Sequence, residues 1–74
     1  MNGHLYAAYG VVNGRDVCLK KKYTSRNAAI DGMFDYFDKN LYVDNMQVQE
    51  EIIKEKHVIE YVCNNNTRFT VARV

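Results

Sequence analysis

The side chains that could do chemistry are few and lie far apart along the chain. Cys18, Cys63, His4 and His57 are the only cysteines and histidines, and they form neither a C-x-x-C nor an H-x3-5-H pair. The sequence also has no G-x-S-x-G turn, no H-E-x-x-H helix and no glycine-rich phosphate loop. We therefore expect no catalytic residues, no metal or cofactor site and no small-molecule substrate. Both cysteines are interpreted as reduced, apolar groups.

The composition is that of one folded domain spanning residues 1–74. Hydrophobic residues make up 47% of the chain and charged residues 26%, which is ordinary for a small folded protein with a single core. No run approaches the roughly 20 apolar residues of a membrane span, and the N-terminus does not resemble a signal peptide, so a cytoplasmic location is expected. The net charge of +1 gives no general attraction to nucleic acid or to an anionic membrane.

One segment, from Ser25 to Asn40, has a clear helical period. Its apolar residues recur every three or four positions and share one stripe: Ile30, Met33, Phe34, Phe37 and Leu41. The hydroxyl of Thr24 or Ser25 is expected to cap the first turn by accepting a backbone hydrogen bond. A helix over about residues 25–40 is therefore predicted to pack its stripe against a sheet.

The sequence before this helix predicts a β-hairpin. Asn13-Gly14 between two strand-like runs favours a type I′ turn, which pairs Leu5–Val12 with Arg15–Tyr23 and puts Val12 opposite Arg15. Alternation then places the following residues beneath the helix: Ala8, Gly10, Val17 and Leu19. The opposite face carries Tyr9, Val11, Lys20 and Lys22.

A second hairpin is predicted around Asn64-Asn65-Asn66. A three-residue loop pairs Tyr61 with Phe69 and Ile59 with Val71, and this register separates apolar from polar residues better than a two-residue loop. Asn66 is then the expected left-handed residue. The face away from the helix carries Val58, Glu60, Val62, Arg68 and Thr70.

The segment between the helix and the second hairpin supports two interpretations. Tyr42 to Asn45 is turn-like, and residues 46–56 either form a short helix capped by Asp44 or alternate weakly as a strand. The helix is favoured because Gln, Glu and Lys are depleted in strands. The fold expected is thus α+β, in the order β-β-α-(α)-β-β, with a four-stranded sheet covered by the main helix on one face. The strand order is not readable.

The uncovered sheet face is the first candidate for function. An exposed apolar row there, or an open edge strand, would dock another protein or a second copy of the chain. The residues expected in this contact are Tyr9, Val11, Val58, Val62 and Arg68. A second contact surface is expected on the outer side of the helix, at Asp31, Asp35 and Tyr36. Alternatively, residues 42–56 fold over the sheet face and hide it.

Nucleic-acid binding is the alternative function. Lys20 and Lys22 would share the outer sheet face, with Arg15 nearby and Arg68 joining them across the sheet. Cations beside the aromatic ring of Tyr9 are typical of sheets that bind single strands. The aromatic residues match no RNA-recognition signature, however, and lysines at the end of a strand are commonly a device against edge pairing.

The chain is small, has no catalytic motif and is rich in Asn, Lys and Tyr. In these respects it resembles small accessory proteins of bacterial phages and mobile elements. That resemblance implies binding to, and blocking of, a host protein. A mimic of nucleic acid would be strongly acidic, which this chain is not. The sequence therefore predicts a small binding module without catalysis of its own.

Overall fold

A five-stranded antiparallel sheet and one helix make up the part of the chain that the computed structural model describes, residues 4–41 and 47–74. The elements in chain order are β1 Tyr6–Val12, β2 Arg15–Cys18, α1 Arg26–Tyr36, β3 Glu50–Glu55, β4 Val58–Asn64 and β5 Thr67–Arg73. Helix α1 continues into a π-helical turn at Phe37–Leu41. The strands lie in the order β2-β1-β5-β4-β3, so the first and last strands of the chain are neighbours. The α+β class is confirmed.

The predicted main helix is confirmed, including its cap. Ser25 Oγ accepts a hydrogen bond from the Ala28 backbone N–H at 3.1 Å. The buried stripe is rotated by one residue from the predicted one, because Ala29, Met33 and Phe37 are buried while Ile30 and Phe34 are only half-buried. The side chain of Leu41 lies outside what the structure describes.

The core lies between α1 and the sheet. Phe69 on β5 is its centre, since the rings of Phe34 and Phe37 meet it edge-on at centroid distances of 5.7 and 6.0 Å. Tyr61 on β4 stacks against the same ring at 5.2 Å. The largest fully buried side chains are Phe37, Phe69, Met33, Val12, Val71 and Thr67. One face of the sheet is thereby covered.

Both predicted hairpin registers are confirmed over part of their length, the first from Tyr9↔Cys18 to Val12↔Arg15 and the second from Val58↔Ala72 to Val62↔Arg68. In the first, Val12 pairs with Arg15 around Asn13 (φ 51°) and Gly14 (φ 81°), as a type I′ turn requires. In the second, Tyr61 pairs with Phe69, as the separation of apolar and polar residues predicted.

The prediction of a left-handed conformation at Asn66 is wrong. Asn13 is the one non-glycine residue with positive φ among the described residues. The Asn66 backbone N–H instead donates to Asn64 Oδ1 at 2.8 Å, and Asn64 itself pairs with Thr67. A side-chain hydrogen bond and a bulge between Val62 and Asn64 close this turn without a left-handed residue.

The second strand is shorter than predicted, and this changes the position of the lysines. β2 ends at Cys18, and the chain returns to β1 only where Tyr23 pairs with Tyr6, through N–H···O bonds of 2.7 and 2.9 Å. The hairpin register would have put Lys21, not Tyr23, opposite Tyr6, so two extra residues are accommodated between Leu19 and Tyr23. The regular pairing that was expected to extend through Lys20 and Lys22 therefore stops at Leu19, and both lysines are exposed in an irregular segment.

The predictions of a short second helix and of a four-stranded sheet are also wrong. Glu50–Glu55 forms β3, which pairs antiparallel with β4 and adds a fifth strand. Pairing with β4 satisfies backbone groups and half-buries Ile52, which outweighs the helical preference of Gln, Glu and Lys. The predicted Asp44 cap and the turn at Tyr42 to Asn45 lie outside the described residues.

Candidate functional site: the open face of the sheet

The sheet face turned away from α1, here called the open face, carries side chains in rows that cross the strands. The strand register defines three rows. The first contains Asp16, Val11, Arg68, Val62 and Glu50. The second contains Cys18, Tyr9, Thr70, Glu60 and Ile52. The third contains Ala7, Ala72, Val58 and Glu55. Side chains in one row are direct cross-strand neighbours.

A groove of about 450 Å³ runs over the first two rows. All the residues that line it belong to the sheet: β1, β2, β4 and β5 each contribute to it. The side chains that shape it are Tyr9, Val11, Cys18, Glu60, Arg68 and Thr70, with Asp16 at the β2 end. Most of the surface they present is apolar, and the volume is within the range of protein sites that bind a small group.

Glu60 gives this groove its distinctive chemistry. Its side chain is only 13% exposed, and its Oε1 atom makes no hydrogen bond. Two cations are close, with Lys54 Nζ 3.5 Å from Oε1 and Arg68 Nη1 3.8 Å from Oε2. Both cations are about half exposed, so these ion pairs are long and well solvated and contribute little. Each carboxylate oxygen of Glu60 therefore has a cation within 4 Å.

The chain matches no family model, no curated protein and no solved structure. Its function must therefore be inferred from the geometry of the site. Within the described residues, no helix is long and apolar enough to cross a membrane, and no three His, Cys, Asp or Glu side chains gather as metal ligands would.

The first set of predicted contact residues is brought together. Tyr9, Val11, Val58, Val62 and Arg68 all lie on the open face, as the register required. Tyr9 is the most accessible of the apolar members, at 41% exposed, and the three valines are half-buried among their neighbours.

The second predicted surface, on the outer side of α1, is only partly presented. Asp31 and Asp35 are exposed, and Asp35 forms an ion pair of 3.3 Å with Lys39. Tyr36 is half-buried and packs against the core. This side of the helix is therefore a charged, solvated surface with little apolar area to bury.

The predicted nucleic-acid residues are dispersed. Arg15 pairs with Val12, so it lies on the helix side of the sheet, whereas Arg68 lies on the open face beside Glu60. Lys20 and Lys22 are exposed in the irregular segment after β2. Arg15 and Arg68 thus lie on opposite faces of the sheet.

Three groups outside the open face have shifted pKa values. Burial raises the pKa of the Cys63 thiol in the core, and it raises the pKa of Tyr61 against a smaller opposing effect of Arg26. Desolvation, aided by the positive charge of Arg73, lowers the pKa of His57. Cys18 is exposed on the open face, so the two free thiols lie on opposite sides of the sheet.

Sequence reasoning placed Glu60 and Thr70 on the outer face without selecting either as a site residue. The available signal was a charged residue inside an apolar strand, since Glu60 interrupts the run from Val58 to Cys63. The burial of Glu60 could not be predicted from the sequence, because it depends on β3. This strand pairs with β4 beside Glu60, and its residues were predicted to form a helix.

Proposed function

We propose that this chain is a small non-catalytic binding module that docks another protein on the open face. The observation that carries the proposal is the groove, an apolar depression of about 450 Å³ that Tyr9 and Val11 line together with the mostly buried Glu60. A partner that covers this apolar surface removes it from water, which favours association. An accessory or inhibitor protein of a phage or mobile element would use such a surface to hold its target.

The face is a better docking surface than either sheet edge. One edge strand, β2, has only four residues. The other, β3, has the sequence EEIIKE, in which four of six side chains are charged. Short and charged edges are the devices by which proteins prevent strand addition. The described part of the 42–56 segment, β3, lies beside β4 in the sheet plane rather than over the open face.

The free thiols support a reducing compartment, such as the cytoplasm, as the place of action. Cys18 is accessible, and Cys63 is buried on the other side of the sheet, so the two cannot pair within one chain. An exposed unpaired thiol is typical of proteins kept in reducing surroundings.

The test compares a lysine placed on the open face with one placed on the helix. Tyr9→Lys puts a charge beside the groove, and Asn27→Lys adds the same charge on the exposed side of α1. Affinity capture from a lysate of the source organism, followed by mass spectrometry, identifies a partner that is then purified and titrated. We expect Tyr9→Lys to weaken its binding at least about tenfold and Asn27→Lys to leave it unchanged.

Circular dichroism first establishes that both variants are folded. Equal affinity of wild type and Tyr9→Lys for the partner, with weaker binding by Asn27→Lys, would place the contact on the helix and refute the proposal. Sedimentation at high protein concentration separates a foreign partner from self-association, since only a second copy of the chain makes the mass depend on concentration.

A further inference from the structure

Basic side chains gather at the end of the sheet where β1 and β4 begin and β5 ends. Arg73 closes β5, and its backbone N–H donates to the carbonyl of His57 at 3.0 Å, so the two residues lie side by side. Alternation from the buried Val71 and Ile59 places both side chains on the helix side of the sheet, where they are half-buried. Two basic side chains in this arrangement do not neutralise one another.

Three further basic residues approach this pair from other parts of the fold. Arg26 belongs to the first turn of α1 and donates a hydrogen bond to Tyr61, which lies on the helix side of β4. Lys56 lies in the turn that precedes β4, and His4 precedes β1. All three are exposed. The basic cluster therefore consists of His4, Arg26, Lys56, His57 and Arg73.

The charge of this cluster is not balanced by nearby acidic groups. Among the described residues, neither Arg26 nor Arg73 makes an ion pair. The carboxylate of Glu51 lies opposite Tyr61, four residues along β4 from His57, which is roughly 13 Å at the rise of a strand. Glu55 pairs with Val58 and so belongs to the open face.

The electrostatic effect of the cluster is seen at the imidazole of His57. Desolvation lowers the pKa of His57, and positive charges lower it further. These charges belong to Arg73, Lys56, His4 and Arg26. An anion bound among them would reduce their mutual repulsion.

We propose that the basic cluster binds a doubly charged phosphate group, either inorganic phosphate or a phosphate monoester. Guanidinium and imidazole N–H groups donate to phosphate oxygens, and a tetrahedral anion accepts from several directions at once. A dianion matches the two guanidinium groups of Arg26 and Arg73, whereas a carboxylate or a phosphodiester brings one charge. The cluster lies on the helix side of the sheet, so this site is separate from the open face and goes beyond the proposed function.

The imidazole rings report binding directly, because the chain contains only two histidines. Their proton NMR resonances are followed against pH in sodium sulfate and in sodium chloride of equal ionic strength, and His57→Gln assigns the two signals. Sulfate stands in for phosphate because it stays a dianion while imidazole titrates. A bound anion favours the imidazolium form, so we expect sulfate to raise the pKa of His57 relative to chloride. Equal pKa values in the two salts would show ionic screening alone and refute the site.

A pair of arginine variants distinguishes a site from the effect of net charge. Arg73→Gln removes one guanidinium group of the cluster. Arg15→Gln is the matched control, since Arg15 also lies on the helix side but at the opposite end of β1, where it pairs with Val12. We expect Arg73→Gln to weaken the binding of inorganic phosphate at least about fivefold and Arg15→Gln to leave it unchanged. Equal weakening in both variants would overturn the proposal. Circular dichroism confirms that each variant is folded.

Three phosphate compounds identify the chemical form of the ligand. Inorganic phosphate alone binds if the ligand is the free ion, and glycerol 3-phosphate binds as well if it is a monoester. Dimethyl phosphate, a singly charged diester, should bind more weakly than either. Stronger binding of this diester, or of a single-stranded oligonucleotide, would make nucleic acid the ligand and overturn the proposal. Tyr9→Lys lies on the open face and should leave phosphate binding unchanged, so failure of this site and failure of the proposed function are separate results.

Discussion

Glu60 is a charged residue at a mostly buried position of the sheet. It occupies a central position of β4 with a side chain only 13% exposed, its cross-strand neighbours are Thr70 and Ile52, and its carboxylate forms long ion pairs with Lys54 and Arg68. Burial of a carboxylate beside such neighbours costs stability unless its ion pairs compensate for the lost hydration. Alternation in the sequence predicted the face on which Glu60 lies, but its burial depends on β3.

Replacing Glu60 by leucine tests this conflict. We expect Glu60→Leu to raise the free energy of unfolding by about 1 kcal/mol, because a mostly buried carboxylate held by two long ion pairs is replaced by an apolar group beside Ile52. Urea denaturation followed by circular dichroism measures the change. Glu50→Leu is the matched control, since Glu50 is exposed on the same face and its replacement should alter stability by less than about 0.5 kcal/mol. A clear loss of stability in Glu60→Leu would show that the ion pairs with Lys54 and Arg68 stabilise the native state.

At the scale of elements, sequence predicted what local rules determine. The Asn13-Gly14 turn fixed one register by its backbone requirement, and the sorting of apolar from polar residues gave the other. The residues of β3 were predicted to form a helix because they favour helices in isolation. They form a strand because they pair with β4. The early end of β2 was also missed because it depends on contacts between residues far apart in the chain. The ring of Tyr23, where the chain pairs with β1 again, lies against Gly32 of α1.

This contact between Tyr23 and α1 leads to a prediction about Gly32. A Cβ added at Gly32 would overlap the distal part of the Tyr23 ring. Alanine in a helix interior is normally worth about 1 kcal/mol over glycine, so Gly32→Ala should give less than that gain in the wild type and the full gain in a Tyr23→Leu background. Thermal or urea unfolding of the four proteins of the cycle measures the coupling. A coupling energy of zero would mean that the ring moves aside freely.

At the scale of the whole molecule, the decisive feature is that β1 pairs with β5. This pairing joins the two hairpins, aligns the three rows of the open face and brings Tyr9 beside Thr70. No local signal encodes it, because the partners are far apart in sequence and many strand orders satisfy the same pattern of apolar residues. The members of the open face were therefore predictable, while the groove, which depends on the strand order, was not.

Two ionisable side chains of the hydrophobic core, Cys63 and Tyr61, lead to a prediction about alkaline pH. Burial raises the pKa of Cys63 above its ordinary value of 9.0 and that of Tyr61 above 10.0. As the pH rises through these ordinary values, both groups ionise in the unfolded chain while they stay protonated in the folded one. The unfolded state then binds fewer protons than the native state, so the free energy of unfolding must fall as pH rises. Below about pH 8 both groups are protonated in both states and contribute no pH dependence.

Urea unfolding in a reducing buffer between about pH 8 and pH 10 measures this loss, which cannot exceed about 1.4 kcal/mol per pH unit for each group. Cys63→Val removes the first group to ionise while keeping a similar volume, so the loss near pH 9 should become smaller. Cys18→Ser is the matched control, because Cys18 is exposed and its replacement should leave the loss unchanged. Stability that is flat over this range, or that falls equally in Cys63→Val, would mean that Cys63 is accessible to water. The core would then shield the Cys63 thiol less completely than the 4% exposure of this residue indicates.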